Sequence, residues 1–220
     1  NQATIQVLQE NGVEVVAVPE QACCGALNLH AGDKEGAQAL ARKNLKAFRD
    51  VDYVVTNAAG CGSGMTEYPL LFLGEPEEEE AQAPAKVKDL SVLLDELGFT
   101  PPPPPRRPLR VAYHDACHLA HAQGVREAPR RLLQAAGLEV LEPREWELCC
   151  GSAGTYNLFQ PEIAEALGKR KAENLKATGA DLVATGNIGC LTQIQAYLDL
   201  PVLHTAELLA LLYEGKDPLA

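Results

Sequence analysis

The sequence predicts an α/β protein built from two repeated Rossmann-like halves with mostly parallel sheets, the first half truncated at its N-terminus. Three observations lead there. Short apolar strands alternate with helical segments through the C-terminal part. One succession of motifs occurs twice. Cysteines follow the first three strands of the better-defined half, where an open parallel sheet gathers its ligand-binding loops.

The elements of the second half are read from apolar runs and punctuation. Strands are expected at Arg110–His114, Glu139–Glu142, Leu182–Thr185 and Val202–His204. Helices are expected at Arg126–Ala136, Pro161–Ala177, Leu191–Leu198 and Ala206–Glu214. Pro161 suits a first helical turn, where its missing N–H leaves no bond unmade. Gly137 and Gly179 stand just past helical runs, where a left-handed residue ends a helix. Strands alternating with helices call for a parallel sheet with right-handed crossovers.

The repeat comes next. GVEVVAVPEQACCGALNL is echoed by GLEVLEPREWELCCGSAGTYNL, and VDYVVTNAAGCGSGM by ADLVATGNIGCLTQI. Cys24 and Cys150 are 126 positions apart, and Cys61 and Cys190 are 129 apart. KDLSVLLDEL likewise resembles HTAELLALLY. Cys117 has no counterpart, because the same offset falls before residue 1. The first half is therefore expected to lack its first strand and first cysteine, and the chain to be a piece of a longer protein. The expected divisions are 1–100 for the first half, 101–108 for a linker and 109–220 for the second half. Within the linker, five consecutive prolines favour extended polyproline II, a stiff strut. The acidic Gly74–Pro84 stretch, with Glu75–Glu80 at its centre, reads as a solvated loop.

Charge and composition exclude several functions. A net charge of −11 opposes nucleic-acid binding, which needs a basic face against phosphate. It equally opposes docking on anionic lipid through a polybasic patch. No apolar run approaches the roughly 18 residues of a membrane-spanning helix, and the N-terminus lacks a signal-peptide pattern. A cytoplasmic location is expected. Seven cysteines, an odd number with two adjacent pairs, make a poor disulfide framework. In a reducing compartment such cysteines bind metal or do redox chemistry.

Cys117, Cys149, Cys150 and Cys190 are the principal candidate ligands. Each falls in a loop at the carboxyl end of a predicted strand, so residues far apart in sequence meet at one sheet edge. Four thiolates suffice for a [4Fe–4S] cluster or for tetrahedral zinc; buried, inert thiols are the plain alternative. Cys23, Cys24 and Cys61 repeat the pattern without a fourth member. Gly25, Gly151 and Gly154 allow the backbone to turn tightly beside such a site. Cys61 and Cys190 each precede a helix, whose N-terminal dipole favours the thiolate. His114 and His118 flank Cys117 as ligands or as partners holding a ligand in place, with Asp115 as a helix cap in the plainer reading. His30 is a weaker candidate. His121, His204 and Trp146 read as structural.

The HDACH segment, the two Cys-Cys-Gly turns and the GNIGC loop resemble the tandem cysteine-rich "CCG" domains. These occur in the iron–sulfur subunit of glycolate oxidase, in lactate-utilisation proteins and in a heterodisulfide reductase subunit. The resemblance covers essentially the whole chain, and CCGALNLHAGD with GNIGCLTQI leans towards the glycolate oxidase type. It implies an electron-transfer subunit holding an iron–sulfur centre on Cys117, Cys149, Cys150 and Cys190. It further implies a flavin-containing partner that oxidises a 2-hydroxy acid, and peripheral membrane association only through partners. A structural zinc module that docks subunits, or thiol–disulfide chemistry at Cys149–Cys150, are the alternative implications. The family's final C-x-x-C is missing: Cys190-Leu191-Thr192-Gln193 and Cys61-Gly62-Ser63-Gly64 each hold one cysteine. That departs from the pattern of a non-cubane cluster. No C-x2-C-x2-C ferredoxin run is present, and an isolated fragment can be metal-free.

Overall fold

Two parallel sheets organise the chain. The computed structural model describes residues 1–81 and 86–220. The N-terminal part comprises α1 (Gln2–Glu10), α2 (Ala26–His30), α3 (Lys34–Ala47), β1 (Val54–Thr56) and α4 (Ala59–Thr66). It continues with α5 (Tyr68–Leu71), α6 (Glu78–Ala81), β2 (Val87–Asp89) and α7 (Leu90–Leu97). The C-terminal part opens with β3 (Arg110–His114), a π-helical turn (His118–Ala122), α8 (Glu127–Ala135) and β4 (Glu139–Leu141). It ends with α9 (Tyr156–Phe159), α10 (Pro161–Lys176), β5 (Leu182–Thr185), α11 (Ile188–Gln195), β6 (Val202–His204) and α12 (Thr205–Tyr213).

β1 pairs in parallel with β2, and the larger sheet runs β4-β3-β5-β6, all parallel. β3 is buried from Val111 to His114 and β5 throughout, as expected of central strands covered on both faces. Strands β3, β5 and β6 keep their expected bounds, and β4 stops one residue early, at Leu141. The helix expected at Leu191–Leu198 begins at Ile188. Gly189 disguises this start. A Cβ there would lie 3.0 Å from Ser152 Oγ, so the glycine serves a close approach inside the helix and not a loop.

The stretch Val13–Val18 belongs to no strand, although GLEVL, its sequence counterpart, supplies β4. Val13 and Val15 pack against the main core while Val16 is 62% exposed. A two-stranded sheet cannot bury both of its helical layers alone. The N-terminal helices instead share a core with the C-terminal ones. Val7, Leu8, Leu90, Leu93 and Leu94 join Leu132, Leu133, Leu208 and Leu209 in one cluster. α1 packs on α12, and α7 on α8. Each fully buried leucine contributes about 1.5–3 kcal/mol, so separating these layers would be costly.

The proline run is laid against the protein and is not a free spacer. Pro102 is buried, and a Cβ at Gly137 would lie 3.2 Å from Pro104. Gly137 also has φ +82°, so its left-handed turn and its closeness to the prolines both demand glycine. The acidic segment is more ordered than a solvated loop: Glu77 pairs with Arg42 at 2.7 Å, and Ala81 is fully buried. Residues 82–84 of that expectation lie outside the described residues. Among the described residues no helix is long and apolar enough to cross a membrane.

Candidate metal centre

The carboxyl ends of β3, β4 and β5 are neighbours in the sheet, and each feeds a cysteine-bearing segment. Cys117 follows β3, Cys149 and Cys150 follow β4, and Cys190 lies in the first turn of α11, after β5. All seven cysteines are free thiols; Cys150 and Cys190 are buried, and Cys117 and Cys149 half-buried. The turn at Cys150-Gly151 presses against α10. Gly151 has φ +91°, and a Cβ there would lie 2.5 Å from the Ala164 carbonyl oxygen. Gly25, at the corresponding N-terminal turn, has φ +83° and stands 3.0 Å from the Ala37 carbonyl by the same measure. The two Cys-Cys-Gly turns thus pack on their following helices in one way, because only glycine permits that approach.

The thiols run in a row. Cys149 is drawn well below its ordinary value by Cys117, then by Cys150, with the Gly151 N–H adding a bond at 3.4 Å. Cys190 is held down by Cys150, against its burial, with help from His114 and from Asn187, whose Nδ2 lies 3.2 Å from its sulfur. Cys117 and Cys150 are pushed up, each chiefly by the thiols beside it. Anions crowded this closely cannot all ionise without a cation, and the protons they retain are what a metal would replace.

His114, the last residue of β3, is 1% exposed, and neither ring nitrogen has a hydrogen-bond partner. Its donor atom and the sulfurs of Cys150 and Cys190 all lie within 4.8 Å of one another. Among the described residues this is the one trio of potential ligands so closely gathered. Cys117 and Cys149 stand next to it in the row. The chemistry of this donor set, thiolate plus imidazole, suits zinc or cluster iron.

The N-terminal cysteines form a looser group. Cys23 and Cys61 are exposed and Cys24 half-buried. Cys61 occupies the first turn of α4, as Cys190 does in α11; both lie within their helices and not before them. The Cys24 thiol beside it brings Cys61 down to about 7, and Cys24 rises in turn. Cys61 is the thiolate of this pair, since it is the more exposed and sits at a helix N-terminus.

The histidine expectations divide. His118 lies 3.7 Å from Cys117 Sγ through Nδ1, and its ring stacks on His30 at 6.1 Å. This ring pair links the segment after the N-terminal Cys-Cys-Gly turn to the one that carries Cys117. His204 caps α12 through its Nδ1, accepting from Ala206 N–H, and its Nε2 bonds the Asn57 carbonyl at 2.7 Å. His121 packs on Trp146, and the Arg126 guanidinium lies 3.6 Å above that indole. Asp115 caps nothing: both its oxygens accept from Arg130, at 2.9 and 2.6 Å, inside the protein.

Sequence reasoning passed over three residues that shape this site. Lys171 is fully buried and donates to the carbonyls of Glu145 and Trp146, at 2.8 and 3.2 Å. Burial lowers its pKa, and the neighbouring Cys150 opposes that shift. Arg130 locks the loop between His114 and Cys117 through Asp115 and is held on its other side by Glu142 at 2.6 Å. Asn187 orients Cys190. The legible signal was Lys171 itself: Ala164, Gly168, Lys171 and Leu175 share the buried face of α10, where a lysine is out of place.

A parallel α/β protein with a thiol row at the carboxyl edge of its central strands is the class that this fold and site define. The chain belongs to the cysteine-rich CCG domain family, whose model matches residues 1–66 and 111–195. It is 40% identical over 222 residues to a Bacillus subtilis protein named "Probable glycolate oxidase iron-sulfur subunit", covering 95% of this chain and 50% of the relative. It is 32% identical over 221 residues to lactate utilization protein A of Oceanobacillus iheyensis, covering 96% of this chain and 90% of that protein. It is 34% identical over 223 residues to a subunit of the CoM/CoB fumarate reductase of Methanothermobacter marburgensis, covering 96% of this chain and 42% of that subunit. The chain thus spans about half the length of the first of these relatives.

Proposed function

We propose that this chain is the CCG region of an iron–sulfur electron-transfer subunit of a flavin-dependent 2-hydroxy-acid oxidase or dehydrogenase of the glycolate type. The observation that carries the reading is the convergence of Cys117, Cys149, Cys150 and Cys190 at one sheet edge, in a chain related to iron–sulfur subunits. A flavoprotein partner oxidises the hydroxy acid, and this subunit passes the electrons towards an acceptor. Bound iron and sulfide, as a [4Fe–4S] centre, supply the one-electron steps. The residues of this chain hold the centre: Cys117, Cys149, Cys150 and Cys190 ligate it, Lys171 and Asn187 balance and orient its sulfurs, and Arg130 fixes the loop through Asp115. The chain is organised as two CCG halves, 1–100 and 109–220, joined by 101–108. Cys23, Cys24 and Cys61 form the equivalent site of the first half, and the protein works in the cytoplasm.

Zinc is the second reading, favoured by one set of distances. Donors of a single ion lie close together, whereas a four-iron cubane binds each ligand through a different iron and spreads them. The mutual separations under 4.8 Å among His114, Cys150 and Cys190 suit the single ion. The chain would then be a structural module that docks subunits and carries no electrons.

Anaerobic purification followed by iron, sulfide and zinc analysis and a visible spectrum separates the readings. Iron and sulfide with broad visible absorption support the electron carrier. Stoichiometric zinc in a colourless protein overturns it in favour of the docking module. The absence of any bound metal after loading overturns both.

A further inference from the structure

His114 is a buried polar group that the four-cysteine reading leaves unused. It ends the central strand β3, opposite Thr185 in the parallel register. The ring is almost wholly enclosed, at 1% exposure, and both nitrogens are without a partner. No neighbouring side chain is hydrogen-bonded to either nitrogen. Asp115, next in sequence, has both oxygens engaged by Arg130. Asn187 turns its amide to Cys190. Thr185 Oγ1 is itself buried without a partner. The remaining groups within reach are the sulfurs of Cys150 and Cys190, inside 4.8 Å. A buried imidazole with no bond is costly, and a structure keeps one where something absent completes it.

We propose that His114 is a direct metal ligand, so that the centre is a four-ligand imidazole–thiolate site built on His114, Cys150 and Cys190 and completed by one of the adjoining thiols of Cys149 and Cys117, the other being left outside it. The inference rests on the reading of these cysteines as a metal site, and it holds for cluster iron and for zinc alike. Its chemical consequence depends on the metal. Imidazole is neutral where thiolate is negative, so replacing a thiolate on iron by His114 leaves the centre less negatively charged. An electron then enters more readily and the reduction potential rises. On zinc the same substitution lowers the site's negative charge without redox consequence.

X-ray absorption at the edge of the bound metal tests this on the unaltered chain, loaded anaerobically with ferrous iron and sulfide in one arm and zinc in another. The expected result is the multiple-scattering signature of one imidazole beside sulfur. A sulfur-only shell overturns the proposal and leaves the metal-site reading intact. A chain that binds neither metal overturns both. The variant His114→Gln adds a second measurement. Removing an outer partner of a ligand lowers affinity about 10–100-fold. Removing a ligand is expected to exceed that and to abolish the imidazole signature. A loss within that range, with the wild-type signature absent, returns His114 to a positioning role. Should the variant fail to fold, the wild-type absorption data still decide.

Discussion

Asn44 of α3 and Lys171 of α10, 127 positions apart, hold the approaches to the two Cys-Cys-Gly turns from corresponding places. Asn44 donates to the Cys23 carbonyl at 3.0 Å and accepts from Ala22 N–H at 2.7 Å. Lys171 donates to the carbonyls of Glu145 and Trp146. Both side chains are fully buried. The difference is charge: the C-terminal site has a cation beneath its row of thiols, and the N-terminal site has a neutral amide.

That cation sets the first prediction. Lys171→Met should destabilise the chain by about 1–3 kcal/mol, because two backbone carbonyls lose their buried donor. Urea unfolding of the metal-free protein reads this directly. Stability unchanged within about 0.5 kcal/mol would mean that relief of the buried charge offsets the lost bonds.

Arg130→Ala is expected to cost more. The guanidinium neutralises Asp115, which is 4% exposed, and removing one member of a buried pair leaves an uncompensated charge worth about 3–5 kcal/mol. Asp115 lies between His114 and Cys117, so metal uptake should fall as well. Arg130→Ala combined with Asp115→Asn should recover part of the stability in a double-mutant cycle. Strict additivity of the two substitutions would show that the pair is not coupled.

Gly151→Ala should disable the centre through the backbone. The left-handed φ of +91° alone costs about 1–3 kcal/mol for a residue with a Cβ. The contact with the Ala164 carbonyl must also be relieved, which moves Cys149 and Cys150 away from α10. Gly25→Ala meets a milder contact, 3.0 Å against 2.5 Å, and should lose less. Thermal melts of the two variants check the order.

Cys61 gives a pH prediction. Its thiol lies at about 7 instead of the ordinary 9.0, drawn down by Cys24. The folded thiolate is thus favoured between those values. In the metal-free protein, alkylation of Cys61 should accelerate as pH rises through about 7, well before an unperturbed thiol responds. The linked stability builds as pH rises from about 7 to the ordinary 9.0 and is lost as pH falls back through about 7, while above 9.0 the raised Cys24 thiol opposes it. Mass spectrometry after timed iodoacetamide treatment follows the alkylation. Cys24→Ala, which removes the donor, should return the midpoint towards 9.0, and an unmoved midpoint would exclude Cys24 as the cause.

Much was legible in the chain itself. The strands β3, β5 and β6 follow from short apolar runs bounded by turn residues, and α10 from its proline start and glycine end. The placement of Cys117, Cys149, Cys150 and Cys190 after parallel strands brings them together on sequence grounds alone, because the carboxyl ends of parallel strands share an edge. The motif repeat and the family resemblance were equally a matter of sequence, since both depend on residue order alone. Tertiary structure decided the rest. That Val13–Val18 stays unpaired, that Arg130 takes Asp115 from a capping role, and that Lys171 reaches the carbonyls before Cys149 all depend on contacts between distant segments. So does the isolation of His114, whose two ring nitrogens are buried without a hydrogen-bond partner. Local pattern determines which elements form and where the thiols gather; burial and the pairing of charges across the fold determine which polar groups are left to bind something else.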